Sequence, residues 1–479
     1  MSSTLSLPTI ETYDETRSLP LNDIVPSDIW QEVFRLVCQN ELKSVESTVQ
    51  RPTKIDFPRS AFNLSHVCRH WHGVITSQPL LWRNLFIHVR VKSPDSLLQT
   101  CLSRTGDVGL RIFIVAYKTD EAGLQALQSC FYTLQPVSNR WKYLSLAIGD
   151  PARKEFEKVF FSTTTQAGYA LTFRSLEFVG VSSAVEEERL TRTEYAFIGR
   201  FCEEANLSLG SIRIGGYYRS IYRVPTYKVI KAYPRLQESL TSLSLVRHDF
   251  ELDRFLVGLS KLSKLEHLGI ERCSCYSNDS TDRRITLPHL RSISISDLHH
   301  RSLEIIFSSL LLPALEDVTF GPPLHTPGFR EMANQSGCKI RRFCMTADRK
   351  FYDYLVYFLA APAFSHLEEL TLEADEFESD HVRYLELAPG VFEVTKMGEQ
   401  VMTPLFPATL KRLTLLGCVS DDGLLGQVAK TRMMDGPLEF FYAEVVNRVS
   451  VYHEMDDLIF RELRRSGFDA ELRRRALTW

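Results

Sequence analysis

The chain has 479 residues, of which 44% are hydrophobic and 24% are charged, and its formal net charge is −3. This is the composition of a globular protein, and the near-neutral charge argues against nucleic acid as a partner. No apolar run approaches the roughly 20 residues that cross a bilayer, so we expect no membrane partner. The ten cysteines are scattered without disulfide spacing, which predicts reduced thiols and a cytoplasmic or nuclear location.

The N-terminal part of the chain predicts a disordered tail followed by a helix. Residues 1–18 are polar and rich in Ser and Thr, without hydrophobic periodicity. A helix is predicted to start at Pro26, because the first helical N–H has no partner and its loss there costs nothing. Ile29, Val33 and Val37 recur at four-residue spacing, which indicates an amphipathic helix.

A second apolar cluster runs from Leu64 to Trp82 and predicts another helix, which ends before Pro79. Two short helices with this much apolar surface cannot bury all of it against each other. We therefore expect both to pack on something larger.

The two clusters together resemble an F-box. That family's pattern opens with a Leu-Pro turn, an acidic residue and an aliphatic stripe ending in Ile-Phe, and its second half reads Leu, Val-Cys-Arg, Trp and Pro-x-Leu-Trp. The matching residues here are Val25-Pro26, Asp28, Ile29, Val33-Phe34, Leu64, Val67-Cys68-Arg69, Trp71 and Pro79-Leu80-Leu81-Trp82. Residues 40–60 depart from the pattern, because family members have a short turn there, and their polar composition predicts a long surface loop. The alternative is an ordinary two-helix N-terminal cap.

The resemblance implies that residues 19–90 dock on the adaptor protein that links such receptors to cullin and RING subunits. Trp71 is expected to be shared with the core of the helix pair. The candidate adaptor-binding residues are Pro26, Ile29, Val33, Phe34, Val67, Cys68, Leu80 and Trp82. The sequence leaves open which apolar side chains face the adaptor.

The residues after Trp82 predict a β/α stack. Alternating apolar residues predict strands at Leu85–Val89 and Val108–Ile114, with a helix at Pro94–Ser103 between them. This arrangement resembles the stretch that follows the F-box in many fungal F-box proteins.

From residue 141 onward one phrase returns: an apolar residue, two others, an apolar residue, one other, and an apolar residue. It begins at Trp141, Phe173, Leu209, Leu240, Leu265, Leu290, Leu315, Ile340, Leu367 and Leu410. Five starts, from Leu240 to Ile340, are 25 residues apart, a period typical of leucine-rich repeats. We therefore predict an α/β fold: a helical F-box segment, then an irregular leucine-rich-repeat solenoid over residues 91–447, in which a curved parallel sheet carries outer helices.

The residues between the apolar anchors are expected on the concave strand face, where a protein substrate would bind. The candidate substrate-binding residues are His267, Glu271, Arg342, Glu369, Glu373 and Arg412. Substrate-binding sites in the long inserts between strands are an equally weighted alternative.

The C-terminal residues 448–479 predict a capping helix. Its inward positions are expected to be Met455, Leu458, Ile459 and Leu463. Arg473–Arg475 are interpreted as the solvated end of that helix, where cations suit the dipole, and the alternative is a patch for targeting or for an acidic partner.

The sequence carries none of the motifs of common catalytic or nucleotide-binding sites. Cys273 and Cys275 lack a second cysteine pair at zinc spacing, and His453 is expected on the surface. We therefore predict no catalytic residue, no cofactor and no metal site.

These expectations combine into a functional hypothesis. The chain is predicted to be a non-catalytic substrate-receptor subunit of an SCF-type cullin–RING ubiquitin ligase, whose F-box binds the adaptor and whose repeats bind an unknown protein substrate for ubiquitination. The alternative is a repeat scaffold that uses the F-box for assembly without substrate degradation. An enzyme with a dispersed site is a third class, for which no residue pattern argues.

Overall fold

The structure is a computed structural model of the chain. It describes residues 25–48, 60–88, 94–116, 119–161, 175–180, 197, 209–216, 230, 234–276, 284–321, 327–347, 355, 358–359, 361–379, 382, 385, 391–394, 400–403, 407, 409–435, 437–447 and 453–476. The predicted N-terminal tail, residues 1–18, lies outside this set. The chain divides into two compact units, Met1–Phe86 with Ser96–Gly109 and Ile87–Asp95 with Leu110–Trp479.

The described part of the first unit is mainly helical. Its helices are α1 (Ser27–Thr48), α2 (Ser60–Ser65), α3 (Arg69–Thr76) and α4 (Pro79–Trp82). Strand β1 (Asn84–His88) and helix α5 (Pro94–Arg104) come next, and the division between the units falls within them. These two elements confirm the predicted strand and helix after Trp82.

Helix α1 is longer than predicted, which corrects the proposed loop. Residues 40–48 are helical, so the loop predicted for residues 40–60 does not begin before residue 49. Residues 49–59 lie outside the described set. The polar composition of this segment suits an exposed helix as well as a loop, and composition alone cannot tell the two apart.

The second unit is mixed α/β and contains a large parallel sheet. Its strands in the sheet are β2 (Leu110–Ala116), β3 (Trp141–Ile148), β4 (Ser175–Gly180), β5 (Ser211–Gly216), β6 (Ser242–Val246), β8 (His267–Glu271), β11 (Ser292–Ser296), β13 (Asp317–Phe320), β14 (Arg342–Ala347), β15 (Glu369–Glu378), β18 (Arg412–Val419), β19 (Phe440–Asn447) and β20 (Asp469–Ala476). They stand side by side in chain order, and each pair is parallel.

Helices and short strand pairs connect the strands of this sheet. The helices are α6 (Glu121–Leu134), α7 (Asp150–Phe160), α8 (Pro234–Ser239), α9 (Leu252–Leu259), α10 (His300–Ser308), α11 (Pro327–Ser336), α12 (Leu424–Asp435) and α13 (Glu454–Arg465), with 3₁₀ helices at Gln135–Arg140 and Pro362–Phe364. The short pairs are β7 (Asp249–Glu251) with β9 (Ser274–Tyr276), β10 (Ile285–Thr286) with β12 (Leu310–Leu311), and β16 (Val391–Val394) with β17 (Gln400–Thr403). Of the helices in the described residues, none is long and apolar enough to cross a membrane.

The core of the second unit follows the predicted spacing. Nine repeats of the apolar phrase begin on or shortly before strands of the sheet, and the tenth, whose first residue Phe173 lies outside the described residues, has Leu176 and Phe178 on β4. The leading residues Leu240, Leu265, Leu290, Leu315 and Ile340 are each at most 1% exposed. Residues 25 apart are aligned partners, as in Ser242 with His267 and Ser292 with Asp317. Equal spacing therefore stacks equivalent apolar residues in one continuous core.

The C-terminal prediction is correct for the helix and wrong for the residues after it. Helix α13 forms, but the chain then makes the strand β20, so residues 448–479 are not only a capping helix. Arg473–Arg475 lie on this strand and not at a helix end. The inward position of Leu463 is confirmed, since it is 3% exposed, whereas Met455 and Leu458, also expected inward, are 53% and 55% exposed, because α13 buries Asp456 and Phe460 beside Leu463.

Buried thiols of the second unit offer a first test of this core. Cys130 is fully buried and Cys273 is 4% exposed, and burial raises the pKa of each thiol to about 12. The thiolate is the reactive form, so between about pH 7 and pH 9 we expect almost no alkylation of either residue by iodoacetamide in the folded protein. Both should react after unfolding in urea. Mass spectrometry of the alkylated peptides measures this, and native labelling as fast as in urea would contradict it.

Candidate functional site

The helices of the first unit enclose an aromatic core. Along α1, Trp30, Phe34 and Cys38 recur every four residues and are 9%, 0% and 9% exposed. We call these three residues the inner stripe. The Phe34 ring centroid lies 5.7 Å from that of Trp30, and the Trp71 ring lies 4.9 Å from each of them. The inner stripe thus fixes α1 against α3 through stacked and edge-on rings.

Trp82 is a second anchor of this core. Its side chain is 2% exposed, and its indole N–H donates a hydrogen bond of 2.9 Å to the Ile75 carbonyl oxygen. The Phe62 ring meets it edge-on at 4.9 Å, and the Arg104 guanidinium lies 4.2 Å from the ring centroid. Trp82 therefore ties α2, α4 and α5 to the end of α3.

The face of α1 next to the inner stripe carries a row of exposed apolar side chains. Ile29, Val33, Leu36 and Val37 are 51%, 40%, 47% and 40% exposed. Ile29, Val33 and Val37 follow one another every four residues, and Leu36 lies three residues after Val33, so the four side chains share one face about 100° wide. We call these four residues the outer stripe. A helix that buries only its inner stripe leaves the outer stripe in water.

Two further apolar side chains of this unit are exposed: Val67, just before α3, at 59% and Leu80, on α4, at 50%. Of the eleven large apolar side chains that are exposed in the described part of the chain, six lie between Ile29 and Leu80. Exposed apolar side chains scattered singly are ordinary, whereas six within one unit make this unit the candidate for an interaction surface.

A charged pair accompanies the outer stripe on α1. The Arg35 side chain donates a hydrogen bond of 2.7 Å to Glu32, and this hydrogen bond holds the pKa of Glu32 below its usual value. Both residues are exposed, so the pair adds little to stability. A polar rim beside an apolar centre is the usual anatomy of a protein–protein interface.

The structure divides the predicted adaptor-binding residues into three groups. The exposed ones are Pro26, Ile29, Val33, Val67 and Leu80, the half-buried one is Cys68, and the buried ones are Phe34 and Trp82. The placement of Phe34 and Trp82 on an exposed surface is therefore corrected, because both side chains hold the helices together. The Cys68 thiol accepts the Trp71 N–H at 3.4 Å, so it caps α3.

Leu36 was missed from the candidate surface. Its signal was present, since it lies three residues after Val33 and seven after Ile29, on the same helix face. The predicted amphipathic stripe rested on Ile29, Val33 and Val37 alone, so it did not include Leu36.

The predicted substrate-binding residues lie on the face of the parallel sheet opposite the buried leucines, which we call the open face. On β11, Ile293 and Ile295 are buried, while Ser292, Ser294 and Ser296 lie on the open face. His267, Arg342, Glu369 and Arg412 occupy equivalent positions of their strands, in one row that also contains Ser292, Asp317 and Phe440. Glu271 and Glu373 stand four residues further along β8 and β15.

Several charges of the open face already have partners within the sheet. Arg342 forms an ion pair with Asp317 on the neighbouring strand, and the Arg412 guanidinium lies 4.1 Å from the Phe440 ring centroid. Glu271 is 3.5 Å from Arg213. Cross-strand pairs of opposite charge stabilise a sheet, so these residues have a structural role whether or not they also meet a substrate.

A buried polar cluster joins the last two helices. His453 and Asp456 are 2% and 0% exposed, and His453 Nδ1 lies 2.7 Å from Asp456 Oδ2. The expectation that His453 lies on the surface is therefore wrong. Asp456 Oδ1 accepts the Gly426 N–H at 2.7 Å, and the Asp422 carboxylate accepts the N–H groups of Met455 and Asp456.

Asp422, His453 and Asp456 offer oxygen and nitrogen atoms within 4.8 Å of one another, as metal ligands would. Their carboxylate oxygens, however, accept backbone N–H groups or bond the imidazole. We therefore interpret the cluster as mutual capping of two helices: Asp422 accepts N–H groups in the first turn of α13, and Asp456 accepts the Gly426 N–H in the first turn of α12.

A scan against models of known protein families finds no match, and a search of curated proteins finds none either.

Proposed function

We propose that this chain is a substrate-receptor subunit of an SCF-type ubiquitin ligase, whose F-box-like helical unit binds the cullin adaptor through the outer stripe. The observation that carries the proposal is the division of α1 into two adjacent apolar faces, one buried and one exposed. The inner stripe closes the core of the helical unit, while Ile29, Val33, Leu36 and Val37 stay exposed. An apolar face that the fold does not use is available to a partner.

The residue pattern between Val25 and Trp82 supports the F-box interpretation, and the outer stripe gives it a surface of suitable chemistry. Val67 and Leu80 extend the candidate surface beyond α1. Cullin and RING subunits would join through the adaptor, in the cytoplasm or nucleus. The catalytic steps would belong to those subunits, and this chain would supply positioning.

The second unit is proposed to be a leucine-rich-repeat array that binds the substrate. The 25-residue spacing and the parallel alignment of equivalent residues support this interpretation. A protein substrate would meet the open face, where His267 and Glu373 are exposed. The ion pair of Arg342 and the ring contact of Arg412 make these two arginines less available to it.

The test is a pull-down of the purified adaptor by the full-length chain and by the double variant Ile29→Asp/Val33→Asp. Truncation of a hot-spot residue costs about 2 kcal/mol or more, or roughly 30-fold in affinity. Two carboxylates placed in an apolar interface also add the free-energy cost of removing them from water. We therefore expect the double variant to lose at least about 100-fold in adaptor affinity.

The matched control is Met455→Asp/Leu458→Asp on α13. These two side chains are apolar and exposed to 53% and 55%, so the change in chemistry is the same at a different surface. It should leave adaptor affinity unchanged. Equal binding by wild type and the outer-stripe variant would reject the proposed surface, and no adaptor binding by folded wild type would reject the receptor function.

The internal pairing of the open-face charges favours a second candidate, a scaffold that uses the adaptor without degrading what it binds. Proteins captured by the second unit distinguish the two functions. Under the receptor proposal their abundance in cells should rise when the outer-stripe variant replaces wild type. Under the scaffold alternative it should not change.

A further inference from the structure

Strand β20 forms the end of the parallel sheet. It pairs with β19 over eight aligned residues, from Phe440 with Asp469 to Asn447 with Ala476. Within the described residues no strand pairs with its other side. Its outward backbone N–H and C=O groups therefore form a template for another strand.

The side chains of β20 are ordered by charge. Asp469, Glu471, Arg473 and Arg475 are exposed and occupy alternate positions, so all four lie on the same face. Ala470, between the first two, is 1% exposed and faces the core. The face thus reads acid, acid, base, base along the strand.

Three of these charges are available for a partner. Among the described residues, Asp469, Glu471 and Arg473 form no salt bridge, and Arg475 reaches Glu444 only at 3.4 Å while its side chain is 68% exposed. An edge that carries charges of a single sign would repel a second copy of itself. The order acid, acid, base, base instead attracts a second copy when the two β20 strands run antiparallel.

We propose that two copies of this chain associate through antiparallel pairing of β20 about a two-fold axis at Leu472. In this register Asp469 of each copy lies opposite Arg475 of the other, and Glu471 lies opposite Arg473. An isologous contact uses every pair twice, so four pairs of opposite charge flank the axis, and such directly opposed pairs stabilise a sheet.

The charge order also selects the register. Moving the axis by one residue places Glu471 against Glu471 or Arg473 against Arg473, and like charges directly opposed are destabilising. A two-fold axis that passes between two residues of β20 would place an open-face side chain directly opposite a core-facing one. The helices of the two copies would then lie on opposite faces of the joined sheet. Pairing at Leu472 keeps the helices of both copies on one side of a continuous sheet.

The interface shares no residue with the outer stripe. A dimer would therefore present two adaptor-binding surfaces and two open faces in one assembly, which raises avidity for a partner with two sites. The dimer itself rests on the strand order and charge of β20 and holds whether or not the proposed function is correct.

Analytical ultracentrifugation of the full chain over a concentration series tests the proposal. We expect a reversible monomer–dimer equilibrium that weakens in 1 M NaCl, because salt screens exposed charge pairs. Two double variants each place charges of a single sign on β20. Asp469→Arg/Glu471→Arg makes the four positions basic, and Arg473→Glu/Arg475→Glu makes them acidic. Each should weaken self-association at least about tenfold.

Mixing the two variants is the decisive step. The basic edge of one variant complements the acidic edge of the other. The mixture should therefore form dimers at about the same protein concentration as the wild-type chain does. The recovery also shows that both variants are folded. Glu238→Arg/Glu439→Arg makes the same charge change at two exposed positions outside β20 and should leave the dimer intact.

Three results would overturn the proposal. They are a strictly monomeric wild-type chain, a dimer that survives both charge variants, and two variants that stay monomeric when mixed. A monomeric wild type, or variants that stay monomeric when mixed, would mean that the charges of β20 prevent edge-to-edge pairing or bind another protein.

Discussion

Replacing Phe34 with alanine is expected to lower the free energy of unfolding of the first unit by about 3–5 kcal/mol, as for other large-to-small changes of buried aromatic residues. The Phe34 side chain is fully buried, and its ring contacts those of Trp30 and Trp71. Its removal leaves a cavity between α1 and α3 that rigid neighbouring rings cannot fill.

Tryptophan fluorescence in a urea titration measures this effect. Three of the five tryptophans, Trp30, Trp71 and Trp82, belong to the first unit, so the signal reports mainly on it. The matched control is the adjacent Val33→Ala, whose side chain is 40% exposed, and its effect should stay within about 0.5 kcal/mol. A folded Phe34→Ala variant with wild-type stability would show that the inner stripe is not the core.

The second large effect is expected at Asp456. The variant Asp456→Ala removes the acceptor of the Gly426 N–H and the partner of His453 Nδ1. Each buried polar group left without a partner costs about 1–3 kcal/mol. The C-terminal helices and β20 should therefore be destabilised by about 2–5 kcal/mol.

Hydrogen exchange is the suitable measurement, because a chain of two units need not unfold in a single step. Amides of α12 and α13 should exchange faster in Asp456→Ala, while those of α1 should not change. Asp457→Ala loses only an exposed ion pair with Arg474, so it should cost less than about 1 kcal/mol. Equal protection in Asp456→Ala and wild type would show that the buried cluster does not hold these helices.

The sequence predicted the strands of the second unit well because their signal is local and repeated. An apolar phrase at 25-residue spacing leaves few alternatives to a stack in which equivalent residues align, as Leu268 and Ile293 do. Strand β20 was missed because Phe468, Ala470 and Leu472 do not follow the phrase. A helix was predicted in its place, since the periodicity of α13 is strong and nothing local marks where it ends except Gly467.

By itself the sequence determined where the apolar residues lie along the chain, and hence the elements and the unit in which a docking surface should be sought. Only the tertiary structure decided which of them remain in water. Phe34 and Val33 are neighbouring apolar residues, yet one is buried and the other is 40% exposed, because the Phe34 ring packs against Trp30 and Trp71. His453 was likewise expected on the surface, and the fold buries it against Asp456. Burial depends on contacts between distant segments, and periodicity within one segment does not contain that information.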